Sequence, residues 1–418
     1  MPRPLSDCTT ALNSVQLLLL AQQYNGPFWA YDVEIIKQRI KQLHAFDIVR
    51  FAQKACSNIH ILRFMRAEGV KVDAVSLGEI ERALAAGYRP GNEDIIFTAD
   101  VFDRPTLARI SELNVPVNAG SMDMLHQLGN TSSGHAVWLR INPGFGHGHS
   151  QKTNTGGENS KHGIWHSELP KAVEVIEKYG MRLVGLHMHI GSGVDYNHLQ
   201  QVCDAMVDQV ITLVHDLDAI SAGGGLTIPY RFGEEAVDTM HYFSLWDAAR
   251  ERIALHLGHP VKLEIEPGRF LVAESGVLVS QVRAVKTMGS RHFVLIDAGF
   301  SDLMRPSMYG SYHHISLLAG DGRAVDDQTL VDSVIAGPLC ESGDVFTQME
   351  GGKVETRALP AAQIGDYLVF HDTGAYGASM SSNYNSRPLI PEILFEQCVP
   401  REIRRAQTIQ ELLELEIG

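Results

Sequence analysis

The sequence predicts an α/β fold: a (β/α)8 TIM-type barrel followed by a mostly antiparallel C-terminal β domain. Two observations lead to this prediction. From about residue 48 to residue 270, short β-branched and apolar runs alternate with segments of helical periodicity, the pattern of parallel strands joined by crossover helices. After residue 272 the strand-like runs continue without helical segments between them. We therefore expect a barrel over residues 30–272 and a β domain built from residues 1–29 and 273–418.

Eight strands are expected in the barrel region. In chain order they are "IVRFAQKA", "VKVDAVS", "DIIFTAD", "VPVNAG", "AVWLRINPG", "RLVGLHMHIGSG", "LDAISAGGG" and "VKLEIEPGRF". Eight strand and helix units in about 230 residues match the size of a closed barrel. A doubly wound sheet usually has fewer strands and a glycine-rich fingerprint after the first strand.

The segments between these strands carry helical patterns. In "SLGEIERALAAG" the residues Leu77, Ile80, Leu84 and Ala85 are expected on one buried face, with Gly87 as the helix C-cap. Near the N-terminus, "VQLLLLAQQ" has only five adjacent apolar residues, no basic leader and no small-residue cleavage site. This run indicates a short packed helix rather than a signal peptide or a membrane span.

The β domain is predicted from runs separated by glycine and aspartate turns. These runs are "GVLVSQVRAV", "HFVLIDAG", "LVDSVIAG" and "DYLVFHD". The early run "FWAYD" has the same character, and we expect it to join the β domain.

Charge and cysteine content narrow the class of protein. The 418 residues include 35 basic and 49 acidic side chains, a net charge of −14, which argues against nucleic-acid and anionic-membrane partners. The five cysteines are far apart and include no C-x-x-C pair, so neither a disulfide framework nor a zinc site is indicated. We expect a reduced, cytoplasmic protein that binds no metal.

Polar residues recur where the barrel strands end, which is where a barrel places its active site. Lys54 follows an apolar strand body, and a lysine in such a place often forms a Schiff base with a carbonyl substrate or with pyridoxal phosphate. The alternative is a lysine that reaches past the barrel rim into solvent. The other polar strand-end residues are Asp73, Arg140, His187, His189, Glu266 and Arg269.

The stretch "HMHIGSG" places His187 and His189 on the same face of one strand. Such a pair could ligate a metal, as in amidohydrolases, although those enzymes carry it on the first strand and here it lies on the sixth. One imidazole could instead stack on a pyridoxal ring. For His187, a hydrogen bond within the core is the plainer interpretation.

Two glycine-rich loops follow adjacent strands, Gly191-Ser192-Gly193 and Gly223-Gly224-Gly225. Their bare backbone N–H groups are suited to a phosphate. Glu266, one strand further on, could keep a pyridine nitrogen protonated, and Arg269 could hold a phosphate or a carboxylate. The alternative for Glu266 and Arg269 is a surface ion pair.

Six motifs, in this order along the chain, resemble those of the pyridoxal-phosphate decarboxylases built on an alanine-racemase-like barrel. They are "FAQKACSN", "HMHIGSG", "SAGGG", "EIEPGRF", "GPLCESGD" and "DTGAYGASMSSNYNSRP". The resemblance extends over nearly the whole chain. Within these decarboxylases, the chain most resembles the bacterial diaminopimelate decarboxylases.

The resemblance implies pyridoxal 5'-phosphate as cofactor and assigns a role to each matching residue. Lys54 would carry the cofactor as a Schiff base, and His189 would stack on its ring. The implied catalytic residues are Lys54, His189 and Cys340. The implied cofactor-binding residues are Lys54, Asp73, Arg140, His189, Ser192, Gly223, Gly224, Gly225, Glu266, Gly268, Arg269 and Tyr376. The implied substrate-binding residues are Arg269, Arg305, Tyr309, Glu341 and Tyr376.

The implied reaction is decarboxylation of meso-2,6-diaminopimelate to L-lysine and CO2, the last step of lysine biosynthesis. Cys340 would protonate the carbanion, and Glu341 would bind the distal ammonium. Arg305 would bind the distal carboxylate, which an ornithine decarboxylase would not need. The family forms homodimers with shared active sites, in which the "GPLCESGD" loop comes from the other subunit.

One position departs from the family pattern: His162 stands where many relatives have phenylalanine. Four alternatives remain open from sequence. They are a related basic amino-acid decarboxylase, an alanine-racemase-like isomerase, a metal-dependent amidohydrolase and a non-catalytic pyridoxal-phosphate carrier or regulator. A racemase would lack the pair Cys340 and Glu341 and would use a tyrosine as its second base.

Overall fold

The computed structural model describes residues 12–146, 156–189, 191, 193, 195–325 and 329–417. The chain divides into two compact units. The barrel unit comprises Arg39–Thr227 and Ala236–Leu271. The β unit comprises Met1–Gln38, Ile228–Glu235 and Val272–Gly418.

The strands are, in chain order, β1 (Phe28–Asp32), β2 (Ile48–Ala52), β3 (Lys71–Ala74), β4 (Ile95–Ala99), β5 (Val117–Ala119), β6 (Ala136–Asn142), β7 (Ile164–Trp165), β8 (Arg182–His187), β9 (Ala219–Ser221), β10 (Lys262–Ile265), β11 (Gly276–Met288), β12 (Arg291–Ile296), β13 (Ile315–Leu318), β14 (Leu330–Ala336), β15 (Arg357–Pro360), β16 (Tyr367–Phe370), β17 (Glu392–Glu396) and β18 (Val399–Arg404).

The α-helices are, in chain order, α1 (Ser14–Tyr24), α2 (Val33–Lys41), α3 (Ile59–Ala67), α4 (Leu77–Ala86), α5 (Arg104–Leu113), α6 (Met122–Thr131), α7 (Leu169–Lys178), α8 (Tyr196–Leu213), α9 (Thr239–Leu257), α10 (Arg269–Val272), α11 (Arg305–Tyr309) and α12 (Ile409–Ile417).

Eight parallel strands close into a barrel, in the order β2, β3, β4, β5, β6, β8, β9, β10 and back to β2. The predicted barrel is therefore confirmed, and each of the eight predicted runs contains one of these strands. The two-residue β7 was not predicted; it pairs with the end of β6, where Ile141 lies opposite Ile164. Because the eight strands are parallel, their carboxyl ends all lie at one face of the barrel, where barrel enzymes have their active sites.

Helix α4 shows both a confirmed and a corrected detail. Gly87 is its C-cap with φ +96°, as predicted. The buried residues are Ile80, Ala83 and Ala86, whereas the predicted face included Ala85, which is exposed. An α-helix turns about 100° per residue, so Ala85 lies about 140° around the helix from Ile80. The predicted stripe of Leu77, Ile80, Leu84 and Ala85 was wrong at Ala85 for this reason.

The β unit is built on a nine-stranded sheet in the order β15, β14, β12, β11, β1, β17, β18, with β16 pairing both β11 and β13. Its pairings are antiparallel except for β1 with β17 and β12 with β14, so the predicted mostly antiparallel domain is confirmed. The run "FWAYD" is β1, which is buried throughout and joins this sheet as predicted.

The N-terminal helix packs on this sheet. Leu17, Leu20 and Ala21 of α1 belong to a buried apolar cluster with Phe28 and Phe395, which confirms the short packed helix. No helix in the described ranges has the length and apolar character needed to cross a membrane.

Candidate active site

Lys54 lies at the barrel mouth because the chain bends sharply after β2. Residues Gln53–Ala55 form one 3-10 turn in which Lys54 is exposed and its two neighbours are buried. Gly268, just after β10, lies close against this turn: a Cβ there would come within 3.2 Å of the Ala55 Cβ. The Ala52 N–H also donates to the Pro267 carbonyl at 3.2 Å. Glycine at 268 thus lets the ends of two neighbouring strands meet beneath Lys54.

Glu266 is a buried carboxylate with a partner at each oxygen. Ser221 Oγ donates to Oε1 at 3.1 Å, and His187 Nε2 lies 2.7 Å from Oε2. Burial acts to raise the pKa of Glu266, but the charge and hydrogen bond of His187, with help from Ser221 and Arg50, lower that pKa to about 2. Glu266 therefore remains ionised across the physiological pH range.

The two histidines of "HMHIGSG" have different surroundings. His187 is buried and bonded to Glu266, in agreement with the core interpretation. His189 is half-buried, and its Nδ1 accepts a hydrogen bond from the Gly224 N–H at 3.1 Å, which leaves the proton on Nε2. Burial, and then the charges of Arg140 and Lys54, lower the pKa of His189 well below its ordinary value. The His189 imidazole is therefore neutral.

The two glycine loops meet in space. Gly193 N–H donates to the Gly225 carbonyl at 3.0 Å. Gly223 and Gly225 have φ +61° and +109°, and a Cβ on them would lie 2.5 Å from the Met188 carbonyl oxygen and 2.6 Å from the Gly191 carbonyl oxygen. Only glycine fits at these positions, so the loops offer bare backbone to a ligand. Ser192, also predicted here, lies outside the described residues.

Asp73 and Arg140 are buried charged residues of the barrel interior. No described atom is a hydrogen-bond partner of Asp73 Oδ1. Burial and then the Glu266 charge raise the pKa of Asp73 well above its ordinary value, although Lys54 opposes this shift. Burial lowers the pKa of Arg140, against the attraction of Asp100, Glu266 and Asp73.

These interactions bring the predicted barrel residues to one region. The charges of Lys54 and Glu266 both act on Asp73 and both act on His189. The region therefore contains an amine, an ionised carboxylate, a neutral imidazole and a backbone cradle. Together with the unpartnered Asp73 Oδ1, this donor set fits a flat pyridine aldehyde that carries a phosphate.

Two neighbours of this region were not predicted. Ser221 is the last residue of β9 and orients Glu266 through its hydrogen bond. Asp100, directly after β4, accepts from the Gly163 N–H at 3.0 Å and lies 2.7 Å from His162 Nδ1. Burial acts to raise the pKa of Asp100, but these two contacts lower it. His162, the departure from the family pattern, is thus paired with Asp100. Asp100 stands at the end of the predicted strand "DIIFTAD", and this position is the sequence feature that could have identified it.

The other predicted site residues belong to the β unit. Arg305 and Tyr309 are the first and last residues of α11, and Arg305 is buried whereas Tyr309 is half-buried. Tyr376 is half-buried and has φ +58°, an unusual conformation for a side chain of this size.

The loop of residues 337–344 carries Cys340 and Glu341, both exposed. Cys340 N–H donates to Asn385 Oδ1 at 2.9 Å. Inside the loop, the Asp344 carboxylate accepts from the N–H groups of Leu339 and Phe300 at 2.8 and 2.7 Å. A loop anchored in this way can present a thiol and a carboxylate from a fixed backbone.

Comparison with known proteins identifies the family of this chain. The family model described as "Pyridoxal-dependent decarboxylase, pyridoxal binding domain" matches residues 33–273. The diaminopimelate decarboxylase of Escherichia coli strain K12 is 70% identical over 419 residues, covering 100% of both chains. The chain belongs to the diaminopimelate decarboxylases.

Solved structures of this family share the fold. One crystal structure of a diaminopimelate decarboxylase matches with a TM-score of 0.98 at 70% identity, covering 100% of this chain and 99% of that chain. The diaminopimelate decarboxylase of Helicobacter pylori, solved in complex with L-lysine, matches with a TM-score of 0.82 at 30% identity, covering 96% and 98%.

These relatives confirm the resemblance inferred from the motifs and the assignment to a pyridoxal-dependent decarboxylase. They do not favour the other basic amino-acid decarboxylases, the isomerase, the amidohydrolase or the carrier. In the barrel, moreover, His187 Nε2 and His189 Nδ1 already hold hydrogen bonds with protein partners.

Proposed function

We propose that this chain decarboxylates meso-2,6-diaminopimelate to L-lysine and CO2, the last step of lysine biosynthesis, with pyridoxal 5'-phosphate bound at the barrel mouth. The observation that carries this proposal is the geometry of the barrel mouth, where His187 and Ser221 hold the Glu266 carboxylate, the Glu266 N–H donates to the Gly223 carbonyl at 2.8 Å, and Gly268 lies against the turn that bears Lys54. Similarity to the diaminopimelate decarboxylases over the full chain supports the choice of substrate.

The barrel unit would bind the cofactor. Lys54 Nζ would hold it covalently, and Glu266, ionised with a pKa of about 2, would bind the protonated pyridine nitrogen. The neutral imidazole of His189 would lie against the ring of the cofactor. The remaining cofactor-binding residues are Asp73, Arg140, Ser192, Gly223, Gly224, Gly225, Gly268, Arg269 and Tyr376. Pyridoxal phosphate supplies the electron sink for the pair of electrons released when the carboxyl group leaves.

The β unit would bind the substrate and deliver the proton. Arg305, with Tyr309 and Arg269, binds the distal carboxylate, and Glu341 binds the distal ammonium. When the C–C bond to CO2 breaks, its electron pair stays with the substrate carbon. Cys340 Sγ then gives a proton to that carbon and forms the new C–H bond.

We also propose that the protein is a cytoplasmic homodimer whose active sites are shared, with the loop of residues 337–344 contributed by the other subunit. The family resemblance supports the dimer. Within the described residues, Cys56, Cys203, Cys340 and Cys398 are free thiols, as suits a reducing compartment.

The test of this function is release of CO2 from a set of amino acids supplied separately to the purified protein with pyridoxal phosphate. We expect release from meso-diaminopimelate and far less from its stereoisomers, ornithine, arginine and lysine. Lys54→Ala is the matched control and should release none. Release of CO2 from ornithine or arginine at a rate above that from meso-diaminopimelate would contradict the proposal.

A further inference from the structure

A buried hydrogen-bonded cluster in the β unit surrounds the guanidinium of Arg305, which is 5% exposed. Its Nη1 donates to His313 Nε2 at 2.9 Å and to the Tyr230 hydroxyl at 3.2 Å. The guanidinium carbon lies 5.0 Å from the centre of the Tyr230 ring. The Tyr230 and His313 rings meet edge to face at 5.7 Å. A histidine and a tyrosine thus fix one end of this guanidinium.

His313 can accept this hydrogen bond as only one tautomer. Its Nδ1 lies 2.9 Å from the backbone oxygen of His371, which can only accept, so the proton is on Nδ1. Nε2 then carries the lone pair that accepts from Arg305, since a guanidinium can only donate. His371 directly follows β16, and β16 pairs with β13 two residues after His313, at Phe370 and Ile315. The sheet therefore fixes the imidazole, and the imidazole fixes Arg305.

His313 Nε2 and the Tyr230 hydroxyl are both neutral hydrogen-bond acceptors. They orient the guanidinium without cancelling its positive charge, whereas a carboxylate in place of His313 would compete with a bound anion. A charged group that is oriented before its ligand arrives loses less conformational freedom on binding, which improves affinity.

We propose that His313 is a positioning residue that acts through Arg305 and, with Tyr230 as a second support, sets the affinity for a ligand carboxylate. This inference rests on the proposed function, in which Arg305 binds the distal carboxylate of the substrate. It adds that preference for an amino acid over a plain diamine at the distal end depends on His313, which does not touch the ligand.

Two competitive inhibitors isolate this contribution. L-Lysine keeps the distal carboxylate, and cadaverine has the same carbon chain and amines without it. Their inhibition constants would be measured on the cofactor-loaded enzyme for wild type, His313→Asn and His313→Gln. Asparagine keeps a donor near Nδ1 for the His371 carbonyl but loses the acceptor at Nε2. Glutamine keeps an acceptor near the position of Nε2.

Loss of one hydrogen bond to a charged group corresponds to about a tenfold weakening or more. We expect His313→Asn to raise the inhibition constant of L-lysine by about that factor and that of cadaverine by less than about twofold. His313→Gln should keep both constants within about threefold of wild type. Equal weakening of both inhibitors by His313→Asn, or no change in either, would overturn the inference.

Arg305→Gln separates failure of this inference from failure of the proposed function. If Arg305→Gln does not selectively weaken L-lysine, the assignment of Arg305 to the distal carboxylate is wrong, and the role of His313 falls with it. If Arg305→Gln is selective and His313→Asn is not, only the inference fails. In the Arg305→Gln background, His313→Asn should have no further selective effect, and an additive effect would contradict coupling through Arg305.

Discussion

At the scale of single residues, the chemistry depends on neighbours that set the charge of Glu266. A buried carboxylate alone would have a raised pKa and would be partly protonated. His187 and Ser221 reverse that tendency and bring the pKa of Glu266 to about 2. A carboxylate held in this state can keep a pyridine nitrogen protonated, which is what an electron sink requires.

Ser221→Ala tests this dependence. The change removes the hydrogen bond to Glu266 Oε1, and we expect kcat/KM to fall by about tenfold because one bond to a charged group is lost. Ser280→Ala is the matched control, since Ser280 is another buried serine that donates to a carboxylate, Asp297 Oδ1, at 2.7 Å. Steady-state kinetics and the affinity for pyridoxal phosphate would be measured for both. Equal losses in the two variants would remove the special role of Ser221.

Sequence reasoning located the residues that stand at strand ends and missed those that support them. Lys54 and Glu266 each follow an apolar run, which made them conspicuous. Ser221 also stands at a strand end, as the last residue of β9, but a small neutral hydroxyl beside three glycines is less conspicuous there than a charged side chain. His313 was not singled out either, because its proposed role depends on a contact with Arg305 that only the structure reveals.

At the scale of elements, the proposed phosphate site at the glycines of positions 191, 193 and 223–225 depends on backbone that no side chain obstructs. We expect Gly223→Ala to weaken pyridoxal-phosphate binding severely, because its Cβ would lie 2.5 Å from the Met188 carbonyl oxygen. Gly289→Ala is the matched control, since Gly289 has the same φ of +61° but no atom within 4 Å of its Cβ. That control should cost about 1 kcal/mol of stability and leave the cofactor bound. Cofactor affinity would be measured by absorbance titration. Similar losses of affinity in both variants would contradict the proposal that Gly223 belongs to the phosphate site.

The turn before α11 has a carboxylate whose ionisation opposes folding. Burial, and the nearby Asp344 and Asp297, raise the pKa of Asp302 from its ordinary 3.8 to about 6. Between these two pH values the folded state binds a proton that the unfolded state has lost. The contribution of Asp302 to the free energy of unfolding is therefore fully present below pH 3.8 and is lost as pH rises through about 6.

Asp302→Asn should therefore stabilise the protein near neutral pH, by at most about 3 kcal/mol, and have a smaller effect at pH 4. Denaturant unfolding at the two pH values would measure the difference. Asp332→Asn, at an exposed aspartate of the same unit, controls for the loss of one negative charge. A gain that is the same at both pH values would show that ionisation of Asp302 is not the cause.

The elements that sequence reasoning identified are those with strong local patterns. The eight barrel strands are apolar runs bounded by turns, and all were found. The strands β13, β15, β17 and β18 were missed because they are short or begin near proline. β18 in particular carries exposed charged residues, which is typical of an edge strand and hides it from an apolar pattern.

At the scale of the whole molecule, the proposed reaction uses residues from both units. The proposed cofactor-binding residues come mostly from the barrel unit, and the proposed substrate and proton-donor residues Arg305, Cys340 and Glu341 come from the β unit. The sequence predicted this division through the change of pattern near residue 272. Sharing between subunits remains a prediction from the family resemblance.

Mixing inactive variants tests that sharing. Lys54→Ala and Cys340→Ala subunits should each be inactive or severely slowed. If every site combines Lys54 of one subunit with Cys340 of the other, random exchange leaves about a quarter of the sites intact. Activity should recover to about that fraction of wild type after unfolding and refolding the mixture. No recovery, with heterodimers shown to be present by mass spectrometry, would mean that each site is built from one chain.

The most direct measurement of the central claim is borohydride reduction of the purified protein followed by peptide mapping. We expect the purified protein to be yellow and to lose this colour on reduction, which should leave a pyridoxyl group on Lys54 and on no other lysine, whereas Lys54→Arg should remain unlabelled. A pyridoxyl group on a different lysine, with Lys54 unmodified in an active enzyme, would contradict the proposal that Lys54 carries the cofactor.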